Sequence, residues 1–192
     1  ASTSLSGYKT ITAVLAFSRL IRKRSDERNI GLLLPTSSPG IITNMAALLL
    51  NRTVVNLNYT ASLPSLLSAV EKAEIRSLYT SRRFLRKLEQ RGVKLDELLA
   101  RVQVHILEDL KDEIGTLSRV ILLLCAVVLP ARLLYALFGR RAGINDPAAI
   151  LFSSGSEGEP KGVVLSHRNI MANIRQISDV LDVRDEDTIM GT

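Results

Sequence analysis

The sequence predicts an α/β fold built on a mostly parallel, doubly wound sheet flanked by helices. Two observations carry that prediction. Short continuous apolar runs, each closed by turn residues, alternate with longer segments whose apolar residues recur at helical spacing, and successive strand–helix–strand units produce that alternation. The 192 residues are 46% hydrophobic with no tryptophan and only 4% aromatics, so the core is aliphatic and large enough to argue against general disorder.

The elements follow in order. Ile11, Val14, Leu15 and Ile21 fall at helical spacing, and that helix dissolves into "RKRSDERN". "IGLLL" (Ile30–Leu34), stopped by Pro35, reads as a buried strand. After a turn "PTSSPG", "IITNMAALLL" reads as helix and "RTVVNLN" as the next strand. A helix covers Leu63 to Lys72, with Pro64 suited to its first turn. "IRSLYT" is a strand, "SRRFLRKLEQ" a helix with Ser81 as N-cap, and "VQVHIL" a further strand. His105, alone inside that strand, reads as a structural histidine rather than a catalytic one. "AAILF" after the turn "INDP" is a strand, "GVVLSH" another, and "RNIMANIRQISDVLDV" a helix with Ile170, Ile174, Ile177 and Leu181 on one face.

Residues Val120 to Phe138, "VILLLCAVVLPARLLYALF", break this rhythm, with Arg119 before them and Arg140 and Arg141 after. Three readings stay open for the apolar segment 119–139. It is a buried helical pair, an amphipathic element lying on a membrane surface with its arginines on anionic headgroups, or a span. A span needs ~20 apolar residues, and Pro130 and Arg132 weigh against it.

The single cysteine, Cys125, excludes an internal disulfide and a zinc cluster and suggests a reducing compartment. The net charge is +6, part of it gathered in "SRRFLRKLEQRGVK". Such a basic stretch reads first as a solvated helix face; anionic lipid or an acidic protein are the other options. No aromatics alternate with its bases as a stacking platform requires, so no nucleic-acid partner is expected. The N-terminal "ASTSLSGYKTI" lacks the features of a signal peptide, and no internal repeat is present.

The stretch "SSGSEGEPK" (Ser153–Lys161) joins the strands "AAILF" and "GVVLSH". Its residues suit a polyphosphate. Gly155 and Gly158 let backbone N–H groups approach oxygens closely. Ser153, Ser154 and Ser156 add hydroxyls, and Lys161 supplies a cation for the outer phosphates. Glu157 repels anions unless it points outward or helps to hold magnesium. The loop is not the P-loop G-x-x-x-x-G-K-[ST], because Lys161 stands three residues after Gly158 and a strand follows instead of a helix.

"ILFSSGSEGEPKGVVLSHRNI" resembles the signature of adenylate-forming (AMP-binding) enzymes: acyl-CoA synthetases, firefly luciferase and nonribosomal peptide adenylation domains. With "LNYT" (Leu57–Thr60), "AEIRSLYTSRRF" (Ala73–Phe84) and "ILEDLK" (Ile106–Lys111), the sequence is similar to bacterial acyl–acyl-carrier-protein synthetases. Those are usually the C-terminal half of a bifunctional 2-acylglycerophosphoethanolamine acyltransferase. The resemblance implies the N-terminal part of the adenylate-forming fold, with a strand–loop–strand phosphate-binding element formed by Ser153, Ser154, Gly155, Ser156, Glu157, Gly158 and Lys161. It implies ATP and Mg2+ as cofactors, a fatty acid as substrate, and acyl carrier protein or CoA as acyl acceptor. Location in the cytoplasm, at the inner face of the bacterial inner membrane, is a further implication. The expected chemistry is formation of an acyl-adenylate, then transfer of the acyl group to a thiol. The later motifs of the family and its mobile C-terminal lid have no counterpart here, so residues 1–192 are expected to be an N-terminal subdomain with no catalytic residue of their own, unable to adenylate alone. A membrane-associated nucleotide-binding or scaffold module without chemistry is the alternative.

Overall fold

A computed structural model describes residues 5–153 and 160–181. The chain runs α1 (Gly7–Arg24), β1 (Asn29–Leu33), α2 (Ser38–Leu49), β2 (Thr53–Asn56), α3 (Leu63–Lys72), β3 (Ser77–Thr80), α4 (Arg82–Gln90), α5 (Asp96–Ala100), β4 (Gln103–Ile106) and α6 (Leu107–Asp112). It continues through α7 (Thr116–Val128), α8 (Ala131–Phe138), β5 (Pro147–Ser153), β6 (Lys161–Ser166) and α9 (His167–Leu181). The strands form one sheet in the order β4-β3-β1-β2-β5-β6. Each adjacent pair is parallel except β5 and β6, which are antiparallel.

The continuous apolar runs of β1 to β3 follow from burial on both faces. Ile30, Leu32, Val54 and Tyr79 pack with α1, α2 and α6 on one side. Leu33, Val55 and Leu78 pack with α3, α4 and α5 on the other. On that second side Gly31 leaves room for its neighbours: a Cβ there would stand 2.9 Å from Ile75 and 2.9 Å from Leu78. Serines start three of the helices that follow strands. The Ser37, Ser62 and Ser81 hydroxyls accept N–H bonds from Gly40, Ser65 and Phe84 at the N-termini of α2, α3 and α4.

Several boundaries differ from the sequence-based expectation. The stretch expected as a turn already contains the first residues of α2, because Ser37 caps and Pro39 fits the first helical turn. The strand expected to reach Leu107 stops at Ile106, because Leu107 and Leu110 turn into the core as α6. The short α5, which buries Leu98, was too brief to show a period. The basic α4 is a solvated face: Phe84 and Leu88 are buried, while Arg82, Arg83, Arg86 and Lys87 are exposed. His105 is structural, buried and stacked on Tyr79 with 4.7 Å between ring centroids. Burial, aided by the charge of Arg24, holds its imidazole below the usual histidine range. Burial likewise pushes the Tyr79 hydroxyl up to about 12.

The segment Val120–Phe138 is helical, broken into α7 and α8 at Pro130. It is not the fully buried pair. Only Leu122 and Ala126 of α7 are buried, Leu122 against Leu15 and Ala16 of α1, and α8 buries no residue completely. Among the described residues no helix is long and apolar enough to cross a membrane. The expected face of α9 forms, yet Ile174 and Ile177 are about half exposed; the side chain of Leu181 lies outside the described residues.

Candidate functional site

The hairpin β5–β6 stands at one edge of the sheet. Its register places Ser153 opposite Lys161, Phe152 opposite Gly162 and Leu151 opposite Val163. Since β5 runs parallel to β2, with Val54 beside Ala149 and Val55 beside Ile150, the β5–β6 connection starts at the carboxyl ends of the parallel strands. Open α/β sheets take their ligands on that side. Ser153 ends β5 and Lys161 begins β6; both are exposed, and a directly opposed pair presents its side chains on the same face. Of the sequence-predicted site these two residues are brought together. Ser154, Gly155, Ser156, Glu157 and Gly158 lie outside the described residues.

The base of the hairpin is fixed by specific contacts. Gly162 packs closely under the ring of Phe152, where an added Cβ would stand at 3.1 Å and the ring would have to shift slightly. Lys72, at the end of α3, donates from Nζ to the carbonyl of Pro160 at 3.3 Å. No sequence signal marks Lys72, which stands 88 positions from its partner.

At the other end of the hairpin, Asp146 Oδ2 accepts the Gly143 N–H at 2.8 Å and the Asn51 side-chain amide at 3.0 Å. These bonds, the Gly143 N–H first, hold the Asp146 carboxyl below its usual range. Asn51 takes the left-handed conformation (φ 54) that asparagine tolerates, just after α2. Ser166 and Asn169 close the start of α9 reciprocally: Asn169 Oδ1 accepts from the Ser166 N–H, and Ser166 Oγ accepts from the Asn169 N–H.

Another anion-attracting feature, beyond the carboxyl end of β3 toward the other edge of the sheet, is already satisfied. The N-terminus of α4 carries exposed N–H groups and the positive end of a helix dipole. Glu108 reaches across to it, accepting from Ser81 Oγ at 2.8 Å, Arg82 N–H at 3.1 Å and Arg83 N–H at 3.3 Å. Burial alone would raise the Glu108 carboxyl, but the Ser81 hydroxyl and the backbone bonds outweigh it and lower the pKa. Lys161, at the start of β6, remains an exposed cation. Among the described residues no group of three His, Cys, Asp or Glu side chains could hold a metal ion. These residues therefore do not by themselves build a magnesium site.

Architecture and site together define an α/β protein with a cation-bearing hairpin whose connection leaves from the carboxyl ends of its parallel strands. The chain belongs to the AMP-binding enzyme family, whose model matches residues 5–192. Within the family the relatives are diverse. The chain is 39% identical over 47 residues (24% of this chain, 6% of the relative) to the chloroplastic long-chain-fatty-acid–acyl-carrier-protein ligase AEE15 of Arabidopsis thaliana. It is 49% identical over 46 residues (24% and 8%) to the medium-chain fatty-acid–CoA ligase of Escherichia coli. It is 52% identical over 40 residues (21% and 0%) to nonribosomal peptide synthetase 8 of Aspergillus fumigatus. The fold is shared with VinN in its complex with 3-methylaspartate, at TM-score 0.68 and 19% identity, over 93% of this chain and 45% of that one. The chain thus spans less than half of the VinN chain, and its sequence matches cover a small part of the longer relatives. These comparisons support the adenylate-forming class without singling out the acyl-carrier-protein type.

Proposed function

We propose that this chain supplies the phosphate-gripping part of an ATP-dependent fatty-acid ligase. In the first step a carboxylate oxygen of the fatty acid attacks the α-phosphorus of ATP. The bond to the β-phosphate oxygen breaks, and pyrophosphate leaves. In the second step the thiolate of acyl carrier protein or CoA attacks the acyl carbonyl, and AMP departs with the electron pair of the cleaved C–O bond. Charge gathers on the β- and γ-phosphates as the first bond breaks. Donors fixed in advance around that charge are commonly the largest single contribution to such a rate.

The carrying observation is the pairing of Ser153 with Lys161 across the hairpin. It sets a cation and a hydroxyl at the base of a connection rich in serine and glycine, on the ligand side of the sheet. Within this reading Ser153, Ser154, Gly155, Ser156, Glu157, Gly158 and Lys161 contact the phosphates, and Lys72 holds the base of the loop through Pro160. Magnesium would arrive with the nucleotide, and no step is assigned to it. Relatives named for acyl-carrier-protein and for CoA ligation both match, so either thiol fits as acceptor.

The test is fatty-acid-dependent exchange of labelled pyrophosphate into ATP by the protein that carries this chain. Exchange with long-chain fatty acids, and not with amino acids, is expected. Exchange driven only by amino acids would overturn the substrate assignment.

A further inference from the structure

The apolar surface of α7 is arranged in an unusual way. At 100° per residue, Leu117, Val120, Ile121, Leu124 and Val128 share one stripe, and the packed residues Leu122 and Ala126 stand opposite. The outward stripe is thus the larger apolar one. Its members are exposed by 73%, 48%, 47%, 58% and 72% in that order. A helix apolar all round is ordinarily buried on every side or set in lipid, and here the protein covers only the narrower side.

The charge around this face is one-sided. From Thr116 to Asn145 the sequence contains four arginines and no aspartate or glutamate. Arg119, itself exposed, donates to the Lys111 carbonyl at 3.0 Å. Arg132, Arg140 and Arg141 are exposed, Arg140 pairing with Asp26 at 3.3 Å while Arg132 and Arg141 add further cations to the segment. Tyr135 Oη donates to the Arg140 carbonyl at 2.6 Å and accepts from the Ala142 N–H at 3.1 Å, tying the arginine-bearing segment back onto α8. Exposed Arg19 of α1 adds a further cation, its guanidinium 6.0 Å from the Phe138 ring.

We infer that α7 and α8 dock this protein in the plane of a bilayer surface carrying anionic headgroups. Aliphatic side chains enter the acyl boundary, while the arginines meet the headgroup charge. The length of the elements agrees with lying flat: α7 has 13 residues and α8 has 8, separated at Pro130, whereas a span needs ~20. Charge complementarity favours lipid over a protein partner, because a segment that carries four arginines and no carboxylate of its own offers a protein no alternating pattern to match. The inference does not depend on the ligase chemistry.

The experiment is flotation of the whole chain with vesicles of phosphatidylcholine alone, and of phosphatidylcholine with phosphatidylglycerol. Binding to the anionic vesicles, weakening with added salt, is expected. The double variant Leu124→Glu, Val128→Glu should lose binding, and Arg132→Gln with Arg141→Gln should weaken it roughly 30-fold at low salt. All four positions are exposed, so unchanged melting temperatures will show that the fold survives. Absence of flotation with either vesicle overturns the inference, as does binding that ignores the variants. So does a dimer that the Leu124 and Val128 changes dissociate without any vesicle binding. Equal binding to both vesicle types overturns the headgroup assignment.

Discussion

Two regions of this protein use the same aliphatic side chains to opposite ends. Between Met45 and Leu117, a stretch wholly within the described residues, no large apolar side chain is exposed. From Leu117 onward Leu124, Val128, Val164, Ile174 and Val180 are all about half exposed or more. The first region is closed because its inner strands β2 and β3 lie between two helical layers. The second is open because α7 has one packed neighbour along most of its length, and because β6 is an edge strand among the described residues. Hydrophobicity therefore tells where a partner is needed, while burial tells whether this chain provides it.

The sharpest way to break that contrast is a substitution that abolishes function without touching stability. Lys161 is exposed at the start of β6. Lys161→Ala should cut pyrophosphate exchange by about 10²–10³-fold and leave the melting temperature in place. Unchanged exchange would remove the phosphate role from this lysine.

Paired truncations measure the contrast directly. Leu98 is completely buried and Leu124 is 58% exposed. Leu98→Ala should cost about 2–5 kcal/mol in denaturant unfolding, and Leu124→Ala less than about 0.5 kcal/mol. Equal costs would mean that α7 is covered in solution.

Acid should act on the closed region through His105. Its imidazole is held below the usual value of 6.5 by burial, so the unfolded chain binds the proton more readily than the folded one. Stability is then full above pH 6.5 and falls as pH drops below it. Unfolding curves collected across that range should show the slope, and His105→Phe, which can keep a ring stacked on Tyr79, should flatten it.

The smallest effects lie on the rim. Glu108→Ala removes the partner of Ser81 and of two backbone N–H groups, and a loss of about 1 kcal/mol is expected from the cap. Because the Glu108 pKa is lowered, that contribution is present above the ordinary glutamate value and disappears as pH falls through the lowered one. Arg82 and Asp109 meet at 2.7 Å with both side chains about half exposed, so Arg82→Ala should lower the melting temperature by no more than the small amount typical of solvent-screened pairs. A loss well above that would make this pair part of the closed region.

Most of the sheet was legible from the sequence because a strand buried on both faces writes itself as an unbroken apolar run, as in Ile30–Leu34. The helix caps were legible at Ser81 and Pro64 because capping is decided within a few residues. The register of Ser153 against Lys161 was not, since pairing distances belong to the assembled hairpin, although the strand–loop–strand order was. Lys72 at the loop's base had no local signature, because the contact to Pro160 joins residues brought together only by the packing of α3.

By itself the sequence determined the alternation of elements, the aliphatic core and the Ser/Gly/Lys connection between two strands. Each of these is written in neighbouring residues, where backbone period and turn chemistry act. Tertiary structure alone decided that α7 turns its larger apolar stripe outward, and that Glu108 occupies the start of α4. The physical reason is that coverage of a face and neutralisation of a helix end depend on atoms far away in the chain, which no local pattern records.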